Sequence, residues 1–355
     1  MAVPKRRIDG LCWLRALALL TLVFASGCEY DVRPLRGQEG RSLVYAAIGR
    51  EGAPNAGIIV TSIGAIVIDP PLSPDLGERL NMDALRRSKT FWDQKHRSTG
   101  QRTGPPPVLY VLNTTYRASH TFGNQAFNAT ADFIASQKAA RHMADLLEGR
   151  KMRQLLKDEF NVKGLERHGL TGATISFEGS LTLHAPEVEV RMVSVGDCVG
   201  EGDAMVYLPQ QKILFAGDLV LVGFVPYYGG RTPSVRNWIA QLKRLEETLP
   251  DDVLIVPGHG PQGGKELLRQ QREFLEALVV AVKTNLLAKK NLKQTMQEVK
   301  LPNYAGWKGY QWLGENVRLV YEELSKKGSN ESSSSGGATM ASPAGVEGPD
   351  LYRGL

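Results

Sequence analysis

Cysteine is scarce in this chain. Cys12, Cys28 and Cys198 are the only three in 355 residues, so no disulfide framework can carry the fold and a packed core must do so. An apolar run long enough to cross a bilayer is missing as well. The run over residues 16–25 has about half of the roughly 20 residues that the hydrocarbon thickness demands. Strong charge of one sign is also absent: the net charge is +6, and Lys5, Arg6, Arg7 and Arg15 against Asp9 place half of it ahead of Cys28. The remainder shows no Lys/Arg stripe with interleaved aromatics, which argues against a nucleic-acid partner. With 42% hydrophobic and 23% charged residues, the chain has the composition of a globular protein, and its length suits one large domain or two small ones.

The N-terminus carries an export signal. A basic stretch, PKRR, leads into the short apolar run and then into Ser26-Gly27-Cys28. A basic start, a short apolar core and small residues before a cut define a secretory signal. The small-small-Cys ending resembles the bacterial lipobox, whose cysteine is acylated and becomes the first residue. Residues 1–27 are therefore read as a lipoprotein signal peptide and Cys28 as the lipid anchor. The expected product is an exported, membrane-anchored lipoprotein facing the periplasm or the cell exterior. A plain signal peptide with an incidental Cys28, or an uncleaved anchor, remains the alternative.

Beyond the anchor, residues 28–41 are polar with Pro and Gly and read as a tether. SLVYAAI, AGIIVTS and AIVIDPP follow as strands, then a helix over residues 74–87. Residues 88–107 are basic and Gly/Pro-rich and read as an insertion. PVLYVLN is a buried strand that runs into TTYRASHTFGN, and residues 130–158 read as helical, with Met143, Leu146, Leu147 and Met152 as its core positions. In the second half, SLTLH, VEVRMVSV, DAMVYLP, KILFAGD and VLIVPGHG are strands. Helices are expected over residues 238–249, 265–289 and 315–326. Strands followed by helices, twice over, predict an α/β fold with two sheets packed face to face and helices outside. The tail, residues 328–355, is Ser/Gly-rich and predicted to be disordered.

Three strand ends open into loops that bear a candidate ligand: VLNTTYRASHTFGN, FAGD and IVPGHG. Rigid scaffolds present chemistry at such places, and two histidines with a carboxylate make a His₂Asp set for zinc or iron. The order of these segments resembles the metallo-β-lactamase superfamily over residues 42–327, closest to its periplasmic branch with HxHxDH, GHTxGD, GD and PGHG motifs. Some of that branch resemble zinc-hydrolase-like proteins associated with quinoprotein or sulfur oxidation. The framework positions are Asp69, Gly123-Asn124, Gly202-Asp203, Gly217-Asp218, Trp238 and Pro257-Gly258-His259-Gly260. The resemblance implies a four-layer αββα sandwich, and a hydrolase that activates water with one or two metal ions.

The ligands are eroded on one side. The family's HxHxDH falls on Thr115, Arg117, Ser119 and His120, and the GHTxGD histidine falls on Val199. All three histidines that the resemblance assigns to a first metal site are gone. The second site keeps His120, Asp218 and His259 and loses its aspartate to Ser119. Valine cannot coordinate, neutral threonine is a poor ligand, and arginine is cationic at every relevant pH. At 4 Å and an effective dielectric near 20, unit charges repel by about 4 kcal/mol, so Arg117 also weakens any ion at the second site. The guanidinium is expected to fill the vacated volume and pair with Asp218.

Two functions follow. One is a membrane-anchored, non-catalytic or weakly catalytic protein that binds a small molecule or partner without metal. The other is a mononuclear zinc- or iron-dependent hydrolase using His120, Asp218 and His259. Cys198 is either a buried structural residue or, with the loop slipped by one position, a thiolate. Tyr227-Tyr228-Gly229-Gly230 either floors a pocket or is surface loop. Asp203 is expected to hold its turn, while His96, His142, His168 and His184 show no ligand spacing.

Overall fold

Alternation along the strands decides the architecture. In the computed structural model, which describes residues 30–37, 43–71, 73–97, 107–148, 171–226 and 234–332, the first sheet has seven strands. They are β1 (Tyr30–Leu35), β2 (Val44–Gly49), β3 (Ala56–Val60), β4 (Ala65–Ile68), β5 (Val108–Leu112), β6 (Asp132–Ser136) and β7 (Ile175–Phe177), in that spatial order. Pairing is antiparallel from β1 to β4 and parallel from β4 to β7. The second sheet runs β12 (Leu254–His259), β11 (Ile213–Leu221), β10 (Asp203–Leu208), β9 (Val188–Gly196), β8 (Ser180–Ala185), parallel only between β11 and β12.

Successive side chains leave a strand on opposite faces. Ile66 and Ile68 of β4 meet Val206, Leu208, Ile213 and Phe215 between the sheets. Ala65 and Val67 point the other way, onto Leu80 and Ala84 of α1 (Pro74–Lys95). Met205 and Tyr207 of β10 and Leu214 and Ala216 of β11 likewise face outward. They meet Trp238 and Leu242 of α4 (Val235–Thr248), Phe274 and Leu278 of α5 (Glu266–Leu287), and Val317 and Val320 of α7 (Leu313–Ser332). The short α6 (Leu292–Glu298) is closed by an Asn291/Gln294 capping box. Three cores between four layers make the αββα sandwich expected from the sequence. Among the described residues, no helix is long and apolar enough to cross a membrane.

Several boundaries move. Tyr30–Leu35, assigned to the tether, forms edge strand β1, whose polar alternation matches one solvated face. Residues 88–95, assigned to the insertion, extend α1 by two turns, supported by a Lys89–Asp93 ion pair at 2.5 Å and Trp92 stacked on His96. The breakers that coloured that segment come later. Residues 132–136, expected to be helical, are strand β6: Phe133, Ile134 and Ala135 are buried, and pairing with β5 overrides helical propensity. The helix proper is α3 (Gln137–Glu148), with Met143 buried. α7 continues through Gly328 to Ser332, past the expected start of the tail. The signal peptide, Cys28, residues 98–106 of the insertion, residues 149–158, His168, Tyr227-Tyr228-Gly229-Gly230 and the tail from residue 333 lie outside the described residues.

Candidate metal centre

Loops from both sheets meet at one end of the sandwich. β4 leads into Asp69, whose φ of 50° is sparsely populated for a non-glycine residue. Its carboxylate accepts from the Thr114 backbone N–H at 2.8 Å and from the Thr114 hydroxyl at 2.6 Å. That fixes the segment after β5. Asn113 donates its amide to the His120 carbonyl at 3.0 Å and exchanges amide bonds with Asn124 at 2.9 and 3.1 Å, so the loop up to one-turn helix α2 (Ala118–Thr121) is rigid. On the second sheet, Gly217 has φ +53°, and a side chain there would strike the Thr114 hydroxyl. Only glycine lets Asp218 approach. Gly258 packs against the Asp218 carboxylate in the same way.

The centre itself is compact. His120 Nε2 lies 3.0 Å from Asp218 Oδ1, and its Nδ1 lies 3.3 Å from Asp69 Oδ2. His259 Nε2 is 3.5 Å from the same Asp218 oxygen, while its Nδ1 sits 2.8 Å from the Gly52 carbonyl. The donor atoms of His120, Asp218 and His259 all fall within 4.8 Å of one another. Arg117 Nη1 donates to the other Asp218 oxygen at 2.9 Å. The ion pair expected from the sequence is therefore present, and both of its side chains are largely buried.

Arg117 and His120 both lie against the Asp218 carboxylate. Burial disfavours an imidazolium at His120, but the Asp218 and Asp69 carboxylates outweigh it and raise the pKa to about 10. Burial likewise opposes ionisation of Asp218, yet His120 and Arg117 hold its carboxyl well below the usual range. Burial pulls His259 down, against the attraction of Asp218, so His259 is neutral. Asp203 is raised to about 6 by burial, although its Oδ2 accepts from the Gly200 and Val199 N–H groups at 2.7 Å. It holds the turn as expected.

The two metal positions fare differently. Tetrahedral ligands at 2.0–2.1 Å from zinc lie about 3.3 Å apart, and the 3.0 and 3.5 Å separations around Asp218 Oδ1 bracket that value. The Gly52 carbonyl fixes the Nδ1–H tautomer of His259 and leaves Nε2 unprotonated, and Asp69 backs His120 in the manner of an outer-shell carboxylate. His120, Asp218 and His259 therefore fit one ion, which would supply Lewis acidity and a water of lowered pKa. Binding would have to displace the His120 proton and compete with Arg117. The first position does not fit: Val199 is buried and apolar, Thr115 is buried and neutral, and Arg117 is a cation. Ser119 lies half-buried on α2.

The residue that sequence reasoning passed over is Asn55. Its amide donates to the Pro257 and Gly260 carbonyls, both at 2.8 Å, and its Oδ1 accepts from Gly49 N–H at 2.9 Å. It clamps the His259 turn to the first sheet, and only an asparagine just before a strand hinted at it. Cys198 is buried, with Asn237 donating to its sulfur at 3.3 Å, and desolvation pushes its thiol pKa up. That favours the structural reading. His96 stacks on Trp92. His142 stacks on Tyr116 and pairs with Glu201 at 3.0 Å, and His184 is exposed on β8; none joins the centre.

Comparison with known proteins now decides the family. The model of the metallo-beta-lactamase superfamily matches residues 49–259, well over half of the chain. This chain belongs to the metallo-β-lactamase superfamily. It is 24% identical over 131 residues to a metallo-beta-lactamase type 2 from Bacteroides fragilis, covering 37% of this chain and 53% of that relative. This member thus spans about half the length of the curated relative it matches. In fold it is similar to a metallo-beta-lactamase from Pontibacter korlensis (TM-score 0.51, 20% identity, 70% of this chain and 99% of that one). It is also similar to the stereoselective inverting sec-alkylsulfatase Pisa1 from Pseudomonas sp. (TM-score 0.57, 17% identity, 79% of this chain and 49% of that one). Superfamily members usually bind zinc, which makes the donor set of this one the informative feature.

Proposed function

We propose that this protein is an exported lipoprotein, anchored through Cys28 and facing the periplasm or cell exterior, whose domain binds a small molecule or partner without metal. The observation that carries the reading is the 2.9 Å contact between Arg117 Nη1 and Asp218 Oδ2. A fixed guanidinium supplies the positive charge that a first metal ion would otherwise bring, and it cannot be removed by a chelator or by titration. His120, charged between two carboxylates, supplies a second. The chain's nearer placement, in the periplasmic branch of the superfamily, belongs to the same proposal.

Metal analysis of the purified protein tests this directly. Less than a tenth of an equivalent of zinc or iron, and a denaturation midpoint indifferent to chelator, is the expected result. Near-stoichiometric metal, lost together with a hydrolase activity in His259→Ala, would overturn it. A mass shift of acyl chains on the mature N-terminus, absent in Cys28→Ser, checks the anchor.

The spacing of His120, Asp218 and His259 favours a second reading, a mononuclear metal-dependent hydrolase. The same measurement separates the two.

A further inference from the structure

β1 begins very close to the proposed anchor. Only Glu29 stands between Cys28 and Tyr30, the first residue of β1, and two residues of chain reach at most about 7 Å. A headgroup layer is about 5–8 Å deep, so an acylated Cys28 keeps this end of β1 at the membrane surface however the domain tilts. β1 is no loose leader: it pairs with β2 along its whole length, from Tyr30 opposite Gly49 to Leu35 opposite Val44. The register shows what else lies at that end. Ala47 pairs with Ala56 at the start of β3, and Gly57 pairs with Ile68 at the end of β4, where Asp69 follows. The leashed end of the sheet is therefore the end that carries the candidate centre. The opposite end carries the β3–β4 turn, where Ile63 is 53% exposed.

Beside Tyr30 the surface suits a lipid interface. A groove of about 410 Å³ is lined by Tyr30 and by Leu76, Arg79, Met82, Asp83 and Arg86 of α1. Met82 is 62% exposed. Asp83 accepts from Arg86 and, at 3.1 Å, from buried Arg87, so its charge is already matched. Arginine lays its aliphatic stem along apolar surface and turns its head toward phosphate, and tyrosine favours the same depth. We propose that this groove and the Tyr30 end of β1 form the face by which the domain sits on its own membrane, which turns the end bearing the centre toward the headgroups. The inference rests on acylation of Cys28, part of the reading proposed above. Asp75 and Glu78 are exposed on α1 as well, so net charge is not the drive. The short leash and apolar contact are. They select phospholipid over a protein partner, because the leash holds lipid at the groove at high effective concentration and a protein would have to displace it.

The test uses the mature full chain inserted from outside into preformed vesicles of phosphatidylethanolamine and phosphatidylglycerol, with the acyl chains on Cys28 verified by mass. Cys198 is buried and an acylated Cys28 has no free thiol, so a nitroxide on Met82→Cys or on Ile63→Cys reports one position. Both native side chains are exposed, so neither change should disturb folding. The reference is the chain from residue 28 carrying Cys28→Ser, in buffer. On vesicles the Met82 label should lose roughly half or more of its collisions with a water-soluble nickel chelate, while the Ile63 label keeps nearly all of them. A Met82 label as accessible as the Ile63 label, in protein that carries its acyl chains, overturns the docking face and leaves the anchor standing. Absence of acyl chains on Cys28 overturns the anchor and the docking with it. A Met82 label already shielded in the Cys28→Ser reference would give the groove to a second copy of the chain and overturn the docking face as well.

Discussion

Asp69 and Asp218 hold His120 from opposite edges of its ring, 3.3 Å from Nδ1 and 3.0 Å from Nε2. One carboxylate comes from the first sheet and the other from the second, so the imidazole is a charged bridge between them. Each end of that bridge answers to experiment.

Removing the guanidinium should open the centre to metal. In Arg117→Met the repulsion of about 4 kcal/mol between neighbouring unit charges disappears, so zinc affinity should rise by two to three orders of magnitude, roughly, by competitive chelator titration. Adding Thr115→His, Val199→His and Ser119→Asp, with histidine at position 117, should bring stoichiometry to about two ions. Unchanged affinity in Arg117→Met would mean that the guanidinium does not gate the site.

Metal-free protein should lose stability as pH rises, in two stages. Asp203 is raised from 3.8 to about 6, so its contribution is full below about 3.8 and fades as pH climbs through 6. His120 is raised from 6.5 to about 10; its contribution is full below 6.5 and is lost through 10. Asp218, held low, acts oppositely and weakens the fold only in strong acid. Urea midpoints across pH should show Asp203→Asn flattening the first stage and His120→Gln the second. Parallel profiles for variants and wild type would contradict the assignment.

Asn55→Ala should cost about 2–3 kcal/mol, because it leaves the buried Pro257 carbonyl without its donor and frees the His259 turn. Hydrogen exchange should quicken at residues 258–260, around the end of β12, before it does in the other strands. A loss under about 0.5 kcal/mol would show the clamp to be incidental.

Gly217→Ala should be at least as damaging, at about 2 kcal/mol or more. It adds strain at φ +53° and pushes on Thr114. A stability by urea titration within about 0.5 kcal/mol of the wild type would show that the close approach tolerates a methyl group.

Much of this was written in the sequence. Short apolar runs bounded by turn residues in AIVIDPP, DAMVYLP and KILFAGD marked strands of the two sheets, because a strand buried on both faces reads as an unbroken apolar run. Arg117 and Val199 were legible as ligand losses because side-chain chemistry alone rules them out as metal donors. What escaped was settled by partners distant in the chain. Residues 132–136 become strand only because β5 lies alongside, and β1 is a strand only because β2 offers an edge. Asn55 reaches across more than 200 positions to Pro257, and no local spacing announces that.

Because Arg117 follows a strand of the first sheet and Asp218 lies on β11 of the second, their ion pair works as an internal rivet. Where a bound ion fastens two half-domains, starvation or acid can undo the fastening. A rivet made from the chain's own atoms is installed at synthesis and needs no supply from the surroundings. Such a domain would keep its shape in compartments where metals are scarce or fiercely contested.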